Sequence, residues 1–344
     1  MRGQFLKAAC LVLAICGAAP VFASSLSDIR ACTDAGKNRK YELGIQLCSR
    51  ALLDKKLGAS DRAYALQYRG ELYLDTAKYA EAESDFSELI RLKPGFVDGY
   101  RGRSVAYINL EKTDEAIADL SIVLRLQPDN ERFRVYRAFA YRKKGDLVSA
   151  LADFSELMRI NPRDGRYAEG RGNIYSDKGD DEHALADYNQ AIALIPELAS
   201  AYDNRARLYR RRNQFELAIR DYDRAIRLNP NPQMFNNRCY AFAMWGKARD
   251  GIPDCSRAIQ MRPRYAVAFE NRAYAYFLLS QFSEAINDYD AAINLQPQRP
   301  NSLFARGVAK LKMGRTDEGQ ADIEAAKTFD ATIAGRMAKL GVAP

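Results

Sequence analysis

Four cysteines share one spacing. Cys32 and Cys48 are 16 residues apart, and so are Cys239 and Cys255. Two thiols at a fixed separation can form a disulfide, hold a metal or act as nucleophiles. Metal binding or nucleophilic chemistry would want a histidine near the sulfur, and the sole histidine of the chain, His183, accompanies neither pair. Arginine and aspartate follow the same spacing. The pairs are Arg69/Asp85, Arg103/Asp119, Arg137/Asp153, Arg171/Asp187, Arg205/Asp221, Arg238/Asp254, Arg272/Asp288 and Arg306/Asp322. A guanidinium can fork onto a carboxylate through two parallel hydrogen bonds. A pair repeated eight times reads as a structural ladder rather than a site for one ligand. No zinc-protease HExxH, nucleophile-elbow GxSxG, phosphate-cradling GxxxxGK[ST] or dinucleotide-binding glycine fingerprint occurs. The chain therefore reads as a non-enzyme with no cofactor and no metal.

The spacing belongs to a longer period. Prolines 94, 128, 162, 196, 230, 263 and 297 recur every 33 or 34 residues. A small residue lies 24 before each proline, from Gly70 to Ala273, and an aromatic 21 before, from Tyr73 to Tyr276. A second small residue lies 12 before, from Ala82 to Ala285. A bulky residue stands 8 before in all but one repeat, where Cys255 interrupts the column. Apolar residues three and four apart make one face of a helix. Small residues let two antiparallel helices approach closely. The proline ends the second helix, since it lacks the N–H and restricts the residue before it. Gly145-Asp146 and Gly179-Asp180 read as turns whose Asp caps the next helix.

Over residues 63–297 this pattern resembles the tetratricopeptide-repeat family of exported bacterial type. One departure is constant: where the family has Leu before the first small residue, this chain has Arg. The resemblance implies an all-α, right-handed α-solenoid of about nine helix-turn-helix repeats. Residues 24–62 read as a degenerate first repeat whose second helix runs from Ile45 to Leu53. Seven full repeats span 63–299. Residues 300–344 form a degenerate last repeat and a capping helix near Thr332–Leu340. Pro253 is expected to delay the start of its second helix.

Residues 1–23 read as a cleaved signal peptide: Arg2 and Lys7, an apolar run from Ala8 to Ala19, then Val21-Phe22-Ala23. Neither Cys10, with Lys7 before it, nor Cys16, preceded by Ile15, fits a lipidation signal. No other segment is apolar enough to span a membrane. The full chain of 344 residues carries a formal charge of +8; loss of Arg2 and Lys7 leaves +6. Export to the periplasm or beyond makes nucleic acid an improbable partner for that charge. It also places the cysteines in an oxidising compartment, so Cys32–Cys48 and Cys239–Cys255 are expected to be disulfides, each stapling one helix pair.

In the tetratricopeptide family the first helices of successive repeats line a concave groove, so the resemblance implies a protein or peptide partner. The residues expected to face that groove are Arg101, Arg132, Arg142, Lys143, Arg207, Arg210 and Arg211 in a basic centre. Tyr240, Tyr274 and Phe277 form an apolar flank. Arg207, Arg210 and Arg211 are expected to reach one ligand together, an acidic segment with hydrophobic anchors. The alternative ligand is an anionic glycan or envelope polymer. The chaperone-tail clamp of some family members is not matched, since Gln67 and Glu71 stand where it needs Lys and Asn. Oligomeric state is not legible.

Overall fold

The computed structural model describes residues 25–344, and the signal-peptide reading lies outside them. All nineteen elements among the described residues are α-helices. They form two compact units. The first unit pairs α1 (Ser25–Lys37) with α2 (Tyr41–Leu52), α3 (Ala59–Asp75) with α4 (Tyr79–Leu92) and α5 (Val97–Asn109) with α6 (Thr113–Leu126), and ends with α7 (Glu131–Lys144). The second opens with α8 (Leu147–Ile160). It then pairs α9 (Gly165–Lys178) with α10 (Asp181–Leu194), α11 (Ala199–Arg211) with α12 (Phe215–Leu228) and α13 (Pro232–Met244) with α14 (Ala248–Met261). Next come α15 (Ala266–Leu278) with α16 (Phe282–Leu295), α17 (Pro300–Lys312) with α18 (Thr316–Phe329), and the short α19 (Ile333–Ala338).

The turns inside the pairs share one device. One or two residues after the first helix, a residue takes a left-handed conformation: Gly179, Gly246 and Gly314, but also Ala77, Glu111, Asn213 and Ser280. The next N–H then reaches back to the carbonyl five residues earlier, as Lys78 does to Tyr73 at 2.8 Å and Gln281 to Tyr276 at 2.9 Å. That closes the helix end as glycine-type C-caps do. Asp146 and Asp180 cap their helices as expected, accepting from the N–H groups of Ser149 and His183. Lys40 offers no side-chain cap to α2. That helix begins at Tyr41, four residues before the expected Ile45, a start that no capping residue marks in the sequence. Pro253 does not delay α14 either. The helix begins at Ala248 with a tightened first turn, in which Asp250 N–H bonds the Lys247 carbonyl at 3.0 Å.

The small columns are needed for close approach. The Phe86 ring lies between Gly70 and Gly102, and a Cβ on Gly102 would stand 2.2 Å from it. Cys32 is bonded to Cys48 and Cys239 to Cys255, each with 5.5 Å between Cα atoms. All four are fully buried. Closing a loop of that size is worth about 3 kcal/mol in the chain-entropy picture.

Seven of the arginine–aspartate pairs lie within one unit, and all seven are bidentate forks. Nε and Nη2 donate to the two carboxylate oxygens at 2.6–2.9 Å. The remaining pair, Arg137/Asp153, has one member in each unit. The aspartates are buried. Each arginine also uses Nη1, which reaches back to the second helix of the preceding repeat. Arg69 bonds Ser49 at 2.9 Å, Arg103 bonds Ser87 at 3.2 Å, Arg205 bonds Asn189 at 2.6 Å and Arg272 bonds Ser256 at 3.0 Å. In two repeats that acceptor is a second carboxylate, Asp223 for Arg238 and Asp290 for Arg306. Guanidiniums of the ladder also lie 5.5–5.8 Å from tyrosine rings one turn on, as Arg103 does over Tyr107 and Arg205 over Tyr209.

The ends modify the theme. In α1 and α2 the charges trade helices: Asp28 is on the first, and Arg50 on the second forks onto it, with Nε to Oδ2 at 2.6 Å. In the last repeat Lys310 replaces the aromatic and its Nζ adds a second cation to Asp322 at 2.8 Å. Burial alone would raise the Asp322 carboxyl. Hydrogen bonds from Arg306 and Lys310 outweigh it and hold the group below the usual carboxylate range.

Two measurements follow from this ladder. Arg171→Ala strands the buried Asp187 carboxylate and should cost about 3–5 kcal/mol. Asp187→Ala should cost less, because Arg171 stays partly exposed. The double variant should lose less than the sum in chemical denaturation, whereas strict additivity would mean the two side chains do not cooperate. A carboxyl whose folded pKa is lowered adds stability above its unfolded pKa and loses it as pH falls through the folded value. Asp322→Asn should therefore be destabilising at pH 7, with the gap to wild type closing below about pH 4. A gap that stays constant down to pH 2 would contradict the assignment.

Candidate ligand-binding face

The ladder arginines and small columns turn one side of every first helix toward second helices. The other side meets the neighbouring first helices. In the second unit α9 touches α11, α11 touches α13, α13 touches α15 and α15 touches α17, and no two second helices pack comparably.

A polar ladder crosses these contacts. In three repeats the residue just before the ladder arginine is an asparagine that donates to the residue two before the ladder arginine of the preceding repeat. Asn204 Nδ2 bonds Glu169 Oε1 at 2.9 Å, Asn237 Nδ2 bonds Asp203 Oδ1 at 3.3 Å and Asn271 Nδ2 bonds Asn236 Oδ1 at 2.9 Å. Glu270 ends the series, accepting from Ser302 Oγ and Arg299 Nε, both at 2.7 Å. Burial pushes the carboxyls of Glu169 and Asp203 up, against the hydrogen bonds and the nearby Arg207 that pull them down.

At α13–α17 the ladder opens into a hollow of about 270 Å³, with α19 at its end. Five carboxamides line it: Gln233, Asn236, Asn237, Asn271 and Asn301. Tyr240 and Tyr274 form an aromatic wall, ring centroids 6.2 Å apart. The Arg210 guanidinium lies 5.1 Å from the centre of the Tyr240 ring, and its buried Nε has no hydrogen-bond partner. Each carboxamide carries two donors and two acceptor lone pairs, so the bonds inside the ladder leave capacity to spare. Planar groups that both donate and accept suit a peptide backbone.

The expected groove residues divide. Arg210, Tyr240 and Tyr274 meet in this hollow. In the first unit Arg101 and Arg132 share a smaller hollow of about 210 Å³, both packed on the Phe133 ring, with Arg101 held by Asp98 at 2.5 Å. Lys143 borders a third, of about 260 Å³, beside Ile108 and Tyr136, with its Nζ 3.3 Å from Glu111. Arg142 lines none of the three. The rest lie elsewhere. Arg211 is drawn to Asp181 at the start of α10, and Arg207 to Asn204 and Asp203, and neither lines the hollow that holds Arg210. Phe277 is buried against Phe282, and Tyr274 is only 8% exposed, its hydroxyl bonded to the Leu340 carbonyl beyond α18. Of the expected apolar flank, Phe277 is core, while Tyr240 and Tyr274 line the hollow.

The carboxamides were missed by a reading that looked for charge. Their signal was present as the dipeptide Asn-Arg at 204–205, 237–238 and 271–272, in step with the ladder.

A stack of helical pairs tied by a repeated inter-helix contact defines a helical-repeat protein. Tetratricopeptide-repeat models match residues 101–164, 172–209, 199–232 and 274–314. The chain is a tetratricopeptide-repeat protein. A tetratricopeptide repeat protein from Parabacteroides merdae shares its fold with a TM-score of 0.58 at 18% identity, over 68% of this chain and 93% of that one. YrrB, described as having an unusual peptide-binding site, aligns at 18% identity over 54% of this chain and 97% of its own, TM-score 0.45. MamA aligns at 18% identity over 49% and 91%, also 0.45. No curated protein sequence matches significantly.

The raised Glu169 carboxyl makes a sign-definite prediction. A folded pKa above the unfolded one gives stability that is present at low pH and lost as pH rises through the folded value. Glu169→Gln keeps an acceptor for Asn204 and removes the half-buried charge, so at pH 7 it should be neutral or stabilising, and lose any gain below about pH 4. A loss of several degrees in Tm at pH 7 would show that the charge itself is needed.

Proposed function

We propose that the chain is a non-enzymatic interaction module of the bacterial envelope that holds an extended segment of a partner protein against its first helices. The observation that carries this is the convergence of five carboxamides, an aromatic wall and Arg210 on one open hollow. Carboxamides would bond the partner's backbone, tyrosines would pack its side chains, and Arg210 would meet an acceptor or a negative charge. Tyr and Arg are the residue types that dominate interface energetics.

Two disulfides fit an extracellular setting, and no described helix is long and apolar enough to cross a membrane. Binding of an anionic polymer fits less well. Such a ligand needs a run of available cations, and Arg101, Lys143, Arg207 and Arg211 each lie beside a carboxylate.

A photo-crosslinker at Val267, which lines the hollow, should capture a protein from the envelope, while one at the exposed Arg227 of α12 should not. Arg210→Glu with Asn271→Ala should lower the Val267 yield about tenfold, equivalent to ~1.4 kcal/mol, and leave the circular dichroism unchanged. Adducts from Arg227 alone would move the site to the second helices.

A further inference from the structure

The far end of this hollow is closed by the chain itself. α19 packs mainly on α17, less on α18, and Leu340 after it reaches Tyr274 of α15. Met337 and Leu340 form the end wall of the hollow. Gly341 takes a left-handed conformation, φ 74°, and Val342 N–H returns to the Met337 carbonyl at 3.0 Å. That turn leaves the Leu340 carbonyl to accept the Tyr274 hydroxyl at 2.9 Å, a bond between residues 66 apart. Val342 is fully buried in the same apolar cluster as Tyr274 and Phe304. A side chain on the first-helix face is thus already bonded to a main-chain carbonyl, flanked by two aliphatic side chains. Beyond Lys339 the tail, Leu340-Gly341-Val342-Ala343-Pro344, carries no charged side chain.

We propose that residues 340–342 fill one subsite of the peptide-binding face, and that a partner occupies it by displacing them with an uncharged segment of its own. The kind of partner is read from the stand-in: a backbone carbonyl for Tyr274, set between aliphatic residues with a small residue among them. A carboxylate there would be buried against Tyr274 and near Glu270, with no cation of its own. The acidic part of a partner, if it has one, belongs nearer Arg210. The tail then sets a threshold, because binding must first release what it already holds.

This inference rests on the first helices being the binding face, and its test does not need the natural partner. The probe is a fluorescein-labelled peptide of residues 339–344, followed by anisotropy. A chain ending at Ala338 should bind it at least tenfold more tightly than the full chain. Replacing the peptide's Leu by Asp should remove binding, and Tyr274→Phe in the shortened chain should weaken it several-fold. If the shortened chain loses helical circular dichroism, the full-length Leu340→Asp variant makes the same comparison with the rest of the tail in place. A folded variant that binds the probe no better than wild type, or that binds the Asp peptide equally, overturns the proposal. Protein adducts at Val267 with no response to the tail peptide would leave the binding face standing and remove the subsite.

Discussion

A guanidinium at the junction of three helices is the contact on which this stack depends. Its Nε and Nη2 hold the aspartate on the partner helix, and its Nη1 holds the second helix of the repeat before. Only arginine has donors fixed in that fork; lysine is a point charge on a flexible stem. Paired ions at a surface contribute ~0–1 kcal/mol, but these carboxylates are buried, and a buried charge without its partner costs several times more. The forks therefore specify register. A hairpin that slipped against its neighbour would strand both the aspartate and the acceptor sixteen residues earlier.

That use of one side of each first helix decides what the other side can be. With core and charge committed toward the second helices, the remaining face is held by carboxamides and a few half-buried carboxylates bonding from repeat to repeat. Four of the cations that might have made a basic track, Arg101, Lys143, Arg207 and Arg211, each lie beside a carboxylate. What that leaves on this face is a hollow rich in amides, walled by tyrosine and bounded by Met337 and Leu340. The two disulfides stand where other repeats place a small residue against a bulky one. In those two pairs a covalent bond takes over from packing.

The period, the helix pairs and both cysteine pairings were legible because each rests on residue type at a fixed interval. The second partner of each arginine was not. Ser49, Ser87, Ser256 and Asn189 are ordinary surface types, and nothing in their chemistry announces an acceptor until the helices are stacked. Phe277 was misplaced for a related reason. Helical periodicity puts it on the first-helix face, but cannot show that the Phe282 ring of the next helix packs against it. Arg211 follows Arg210 directly, and that single step around the helix carries it to Asp181 instead of the hollow. The start of α14 shows the limit of a local rule: a proline six residues into a helix can be absorbed by tightening the first turn.

The central claim is that each fork binds two repeats at once, and native-state hydrogen exchange on Arg238→Lys tests it most directly. Arg238 bridges Asp254 on α14 and Asp223 on α12. Lysine keeps the charge and loses the fork. The account predicts that protection falls together in α12 and α14, by about 1–3 kcal/mol, with the helices of the first unit unchanged. Loss confined to α14, or no loss in either helix, would mean that the repeats are joined by apolar packing alone.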